Sequence, residues 1–188
     1  DQLENTYTSV YDSYLNFEGG MPVETGSELD FAIEGDGFFV ISTKEGLRYT
    51  RNGKFTIDHE KRLVTAGGDP VLGRGGEITV DGKQVSVEND GTISVDNTAV
   101  DVLKVVDFKN RSAVRSAGKN LLVNTDEKNE ELAPDNFTVT QGRYEASNVN
   151  VVREMIEMMY AVRAYEAYAK VDQYFDDILG KLIEVGKL

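Results

Sequence analysis

The chain has 188 residues, enough for one sizeable core or two small ones. At 40% hydrophobic and 28% charged it has the composition of a folded protein, and its net charge of −13 argues against nucleic acid or an anionic membrane, both of which need clustered Lys and Arg. With no cysteine there is no disulfide and no thiolate chemistry, which fits a reducing compartment or a chain that avoids misoxidation during export.

Residues 1–28 are polar and tyrosine-rich (Tyr7, Tyr11, Tyr14) and end on Gly19-Gly20-Met21-Pro22. The Gly-Gly and the Pro mark a connector, with room for a short helix before them. The chain opens on Asp1 and not on Met, so sequence upstream is expected; no cleavable signal peptide is recognisable.

Residues 29–140 read as strands. Phe38-Phe39-Val40-Ile41 is a short apolar run. Lys54 to Ile57, Glu77 to Val80, Gln84 to Val87 and Thr92 to Val95 alternate polar and apolar, the period of half-buried antiparallel strands. Asn52-Gly53, Gly67-Gly68, Gly75-Gly76, Asp81-Gly82 and Asp90-Gly91 supply turn signals, and Asp81-Gly82, between two alternating runs, predicts a hairpin. Val100 to Phe108 predicts one longer strand. Strands this short and this evenly spaced favour an antiparallel barrel- or sandwich-like domain, with Phe38, Val40, Phe55, Ile57, Val80 and Val105 in its core.

Little in this zone suggests catalysis or metal binding. The single histidine, His59, lies in the turn Asp58-His59-Glu60-Lys61 and reads as a surface residue. No G-x-S-x-G elbow occurs, and the residues for a zinc site are missing. Asp58 with Glu60, or Asp90 with Asp96, lack the ligand spacing of a calcium loop and read as turn carboxylates. Gly35-Asp36-Gly37 and Gly73-Arg74-Gly75-Gly76 invite a phosphate-loop reading. The first leads into a strand, however, so no helix N-terminus is available for the phosphate, and tight turns are the better account. No metal, no cofactor and no small-molecule substrate are expected.

The last stretch, 141–188, lacks proline, and from Ser147 its first glycine is Gly180. Val151, Met155, Met158, Val162, Tyr165, then Tyr168, Val171, Phe175, Ile178, Leu182 and Val185 recur in steps of three and four, which predicts one long helix over about 148–183 with an apolar stripe. Ser147 is the expected N-cap. No apolar run reaches the ~18 residues a membrane span needs. The stripe exceeds what a small domain can cover, so it reads as an assembly interface with coiled-coil packing, carried by Val151, Met155, Met158, Val162, Tyr165, Val171, Phe175, Ile178 and Leu182.

Several segments together resemble the flagellar basal-body rod and hook family. Leu29 to Phe39, with Gly35-Asp36-Gly37-Phe38 at its centre, is similar to L-D-x-A-I-x-G-D-G-F-F; Tyr49 to Asp58 to Y-T-R-x-G-x-F-x-x-D; and Leu63 to Gly73 to L-V-T-x-x-G-x-P-V-L-G. Gln141 to Val149, with Ser147-Asn148-Val149, resembles Q-G-x-L-E-x-S-N-V, and Arg163-Ala164-Tyr165-Glu166 resembles R-A-Y-E. The family's N-terminal A-x-N-I-A-N-like helix has no counterpart here. The ending Phe175 to Ile183 is more similar to proximal than to distal rod members. The resemblance implies a structural, non-enzymatic subunit with an outer β domain (29–140), an inner helical region (141–188) and a connector (1–28). It implies partners among copies of itself and other rod or hook subunits, transit through the export apparatus, and a place in the basal body, reached without a cleaved signal peptide. A β-rich adhesin or carbohydrate-binding module with a helical oligomerisation stalk is the alternative, though the chain has no tryptophan. A carboxylate hydrolase, a third class, would need a concave acidic pocket with two carboxyls on opposed strands.

Overall fold

The computed structural model describes residue 17 and residues 19–185, with side chains up to residue 181. The short helix allowed for before Gly19 lies outside the described residues. The chain divides into two compact units, 1–147 and 148–188.

The first unit opens with β1 (Pro22–Glu24), β2 (Phe31–Gly35) and β3 (Phe38–Thr43). Only Asp36 and Gly37 separate β2 from β3, yet the two do not pair. Gly35 and Gly37 have φ of 95° and 116°, and a Cβ on them would lie 2.3 Å from the Asn136 carbonyl oxygen and 2.6 Å from Val105 Cγ1 respectively. The chain makes a corner there that only glycine allows, which sends β2 and β3 into different sheets.

β3 forms a hairpin with β4 (Gly46–Thr50), and β5 (Phe55–Ile57) one with β6 (Leu63–Thr65). β7 (Val85–Val87), β8 (Thr92–Val95) and β9 (Thr98–Val102) form a meander. β10 (Val105–Phe108) returns to β3; β11 (Val114–Gly118) and β12 (Leu121–Asn124) form a hairpin beside β4; β13 (Glu131–Leu132) adds to β10. β14 (Phe137–Gln141) pairs with β2 and β15 (Arg143–Glu145) with β1. All these pairings are antiparallel, and the main sheet, in order β11-β12-β4-β3-β10-β13, belongs to a curled half-barrel. The strands extend past both sequence-derived boundaries, 28 and 140, and the unit closes at Ser147.

β3 explains why the sequence runs apolar there without alternation. Phe39 and Ile41 face the larger core with Phe31, Phe55, Leu63, Ile78 and Ile93, while Phe38 and Val40 face a second cluster with Tyr49, Val106, Phe108 and Val114. A strand covered on both faces needs apolar residues at every position. Five of the six expected core residues are buried; Ile57 is the exception, at 36% exposure beside the turn of the β5–β6 hairpin.

Three local expectations are corrected. Asp81-Gly82 is not a hairpin turn. Residues 77–80 make isolated bridges to Leu72 and Arg62, and β7 pairs instead with β8 around Asp90-Gly91. Gly82 is there for close approach, since a Cβ would fall 2.2 Å from Val95 Cγ1. The strand expected over Val100 to Phe108 breaks at Leu103, whose amide bonds to Gly91 O, and Lys104, whose amide bonds to Leu72 O. The helix N-cap is Asn150 and not Ser147: its Oδ1 accepts from the amides of Val152 (3.1 Å) and Arg153 (3.2 Å), so α1 (Val151–Val185) starts three residues later than expected.

We expect Phe39→Ala, which removes a fully buried ring packed edge-to-face on Phe55 at 5.3 Å, to cost about 3–5 kcal/mol in urea unfolding. Ile57→Ala is expected to cost less than about 1 kcal/mol. Equal losses would contradict the burial assigned to these two residues.

Candidate assembly surface

The two ends of the β unit meet at one seam. β1 and β15 pair Pro22 with Glu145, Val23 with Tyr144 and Glu24 with Arg143, and Met21 O accepts from Ala146 N at 3.0 Å. Arg51, directly after β4, fastens this seam to the sheet. Its Nε donates to Glu145 Oε2 at 2.6 Å, Nη1 to the carbonyls of Gly35 (3.1 Å) and Gly37 (3.0 Å), and Nη2 to that of Ile33 (3.0 Å). Glu145 Oε1 accepts from Gly20 N at 2.7 Å. The pair is largely enclosed, with side chains 18% and 10% exposed. A guanidinium, with five donors in a rigid planar fork, can serve four acceptors at once; an ammonium, with three, cannot.

The residues around the glycine corner serve the same join. Asp36 Oδ1 meets Arg111 Nη2 at 2.5 Å, and Arg111 also holds Asp107 at 2.6 Å. Burial pulls the Asp107 carboxyl upward, but the bonds from Arg111 and the Phe108 amide outweigh it and keep it below the usual carboxylate range. The bonds to Asp107 and Asp36 push Arg111 further up. Tyr49, raised above the usual phenol range chiefly by burial, donates to Glu131 Oε1 at 2.8 Å, and Glu131 Oε2 pairs with Lys104 Nζ at 2.6 Å. Gly35, Asp36, Gly37 and Phe38 therefore build the fold at this point. Arg51 and Glu145 were readable only as letters inside two motif blocks; nothing in the sequence said that the blocks touch.

The residues weighed for chemistry have structural employment. His59 is exposed in its turn. Asp58 accepts from the Arg62 amide and guanidinium and from the Glu60 amide, and these bonds, the Arg62 amide foremost, hold its carboxyl low. Asp90 is held low in the same way by the Thr92 amide. Asp96 takes the amides of Lys83 and Gln84. The glycine loop 73–76 does cradle an anion, but the anion is Asp101: Gly75 N donates to both carboxylate oxygens (3.1 and 3.2 Å), and a Cβ on Gly73 would come within 2.2 Å of one. No cluster of three or more potential metal-ligating side chains occurs among the described residues.

The large exposed apolar side chains concentrate on α1. Val151, Met155, Met158, Val162 and Tyr165 are exposed, as are Tyr168, Val171, Tyr174, Phe175, Ile178 and Leu179. Leu182 continues the helix, but its side chain lies outside the described residues. Arg163, Ala164 and Glu166 are exposed beside Tyr165; Ser147 ends the first unit, and Asn148 and Val149 precede the helix. The expected single stripe is in fact two. At about 100° per residue, Val151 to Tyr165 share one band about 80° wide, and Tyr168 to Ile178 share another, rotated by roughly 140°. Three successive steps of three, Val162 to Tyr165 to Tyr168 to Val171, cause the rotation, and the helix runs through them without a break. No described helix is long and apolar enough to cross a membrane.

Two sequence profiles match the chain. "Flagellar hook protein FlgE/F/G D1 domain" covers residues 32–95, and "Flagellar basal body rod FlgEFG protein C-terminal" covers 140–185. The flagellar basal-body rod protein FlgF of Caulobacter vibrioides is 40% identical over 162 residues, which cover 83% of this chain and 64% of that protein. FlgG of Buchnera aphidicola from Acyrthosiphon pisum is 34% identical over 98% of the chain and 75% of its own length, and FlgF of Rhizobium meliloti 31% over 95% and 76%. The chain thus spans about two thirds to three quarters of these relatives.

Arg51→Met would leave a largely enclosed carboxylate and three carbonyls without their donor, and we expect it to destabilise the β unit by about 2–4 kcal/mol. Arg51→Lys should recover little of that. A double-mutant cycle with Glu145→Gln should give a coupling of about 1–3 kcal/mol. Additive effects would contradict a shared clamp.

Proposed function

The chain belongs to the flagellar basal-body rod protein family, and we propose that it acts as a structural subunit of the rod, the half-barrel forming its body and α1 the segment through which it packs into the assembly. The observation that carries this is the row of exposed large side chains on α1, with Met158 at 67%, Tyr165 at 75% and Phe175 at 60%. A 35-residue helix extends about 52 Å. Each such side chain gains ~1.5–3 kcal/mol on burial, so covering even one band offsets much of the entropy of association.

In this reading the β unit from β1 to Ser147 is the rod domain, residues 148–188 with α1 are the assembly region, and the residues before β1 are a connector. The partners are other copies and other rod or hook subunits, met in the basal body after transit through the export apparatus. A chain without cysteine suits passage as an unfolded polymer. No catalytic step is assigned: the carboxylates weighed for chemistry hold together the turns they sit in. The adhesin alternative has no support among the relatives, which are rod proteins by name.

Sedimentation velocity tests the helix directly. The intact chain should self-associate as its concentration rises. Val162→Asp or Phe175→Asp should weaken this association roughly tenfold or more, through the burial of an unpaired charge, and leave the thermal transition of the β unit in place. An intact chain that stays monomeric at high concentration would remove the helix from the account of assembly.

A further inference from the structure

The chain has four methionines, and all four are on the surface: Met21 (81% exposed), Met155 (61%), Met158 (67%) and Met159 (55%). Both buried clusters of the β unit are made of Phe, Tyr, Leu, Ile and Val, with no thioether in either. This inverts the usual distribution, since methionine normally fills core gaps. Three of the four lie within five residues of α1. Met155 and Met158 sit on the first apolar band between Val151 and Val162. Met159 lies on the flank of that band with Val152 and Ile156. Leu would serve a purely apolar contact as well, and at no cost in helix propensity; what Met adds is an oxidisable sulfur at the surface.

We propose that Met155, Met158 and Met159 are an oxidation site for peroxide-class oxidants that controls assembly, an inference that rests on α1 being the assembly segment. In the free subunit the thioethers are open to a small oxidant. The sulfur lone pair attacks one peroxide oxygen and the O–O bond breaks. The departing hydroxide takes up the proton released from the transferred oxygen and leaves as water. Sulfur loses two electrons and becomes the sulfoxide; the peroxide is the species reduced. Each sulfoxide places a strong, unpaired acceptor where packing needs an apolar surface. In the assembled helix the same sulfurs are covered, so the site acts on subunits before they join. The β unit keeps its fold through the reaction, because neither core contains sulfur and the chain has no cysteine. Met21, the fourth methionine, lies outside α1 and joins the seam through its backbone carbonyl.

The test treats the intact chain with hydrogen peroxide and follows each methionine by peptide mass spectrometry. Association is measured by sedimentation velocity and the β unit by thermal unfolding. A variant with Met155→Leu, Met158→Leu and Met159→Leu is carried alongside. Untreated wild type should associate, and the variant, which alters the same apolar band, is compared with its own untreated baseline. Oxidised wild type should associate at least roughly tenfold more weakly, with the β transition unchanged, while the variant should be indifferent to peroxide. If fully oxidised wild type associates as tightly as untreated protein, or if peroxide weakens the variant equally, the switch is overturned and the assembly reading stands. An untreated chain that remains monomeric overturns the assembly reading, and the switch with it.

Discussion

The guanidinium of Arg51 is the point on which the β unit depends. A half-barrel built from short strands has many edges and few long ladders, and its two chain ends would fray without a tie. Arg51 binds the carbonyls of the β2–β3 corner with one end and Glu145 of β15 with the other. The corner is possible because Gly35 and Gly37 carry no Cβ, and Asp36 between them is held by Arg111. One side chain thereby joins the place where the sheets diverge to the place where the chain comes in and leaves. The consequence for function is positional: residues 21 and 146 are hydrogen-bonded neighbours, so whatever precedes β1 and whatever follows β15 depart from one point of the fold.

Much of this was legible in the sequence, and the failures share a physical cause. The run Phe38 to Ile41 announced a strand, and the two clusters it enters explain why it does not alternate. The glycines were legible as glycines, yet their uses were not. Gly82 and Gly53 admit another backbone or side chain at close range; a Cβ on Gly53 would come 1.7 Å from the Phe31 carbonyl oxygen. In both places a dipeptide that reads as a turn is a crossing point. Two tight turns, conversely, have no glycine at their central positions: Asp96-Asn97 and Lys119-Asn120 adopt φ of 50–65° and close the β8–β9 and β11–β12 hairpins. Local turn chemistry cannot show which glycine is needed for its φ and which for a neighbour far away in the chain. Arg51 and Glu145 lie 94 residues apart, and no periodicity relates them.

The helix was legible as a helix because nothing in it breaks the pattern, and its start was misread by three residues because two good capping side chains, Ser147 and Asn150, compete within one turn. Its surface is better understood as two bands. A single partner lying along the whole of α1 would meet the first band and lose the second, since supercoiling redresses a drift of some 20° per heptad and not a rotation of roughly 140°. Such a surface suits a helix packed among several neighbours more than one half of a simple coiled-coil pair. The chain's charge is distributed to match: the helix carries exposed acids and bases among its apolar residues, Arg153 and Glu157 paired at 3.1 Å among them, so its free form remains compatible with water until the bands are covered.

In the proposed rod subunit, α1 is exposed before assembly and covered after it. The absence of cysteine allows single reporters: Val162→Cys for the first band and Phe175→Cys for the second. Maleimide labelling of each should be compared in the isolated chain and in basal bodies purified from cells whose full-length protein carries the same substitution. Both positions should label fast in the isolated chain and be strongly protected in the basal body. Equal labelling rates in the two states, or basal bodies that lack the protein altogether, would contradict this role for α1.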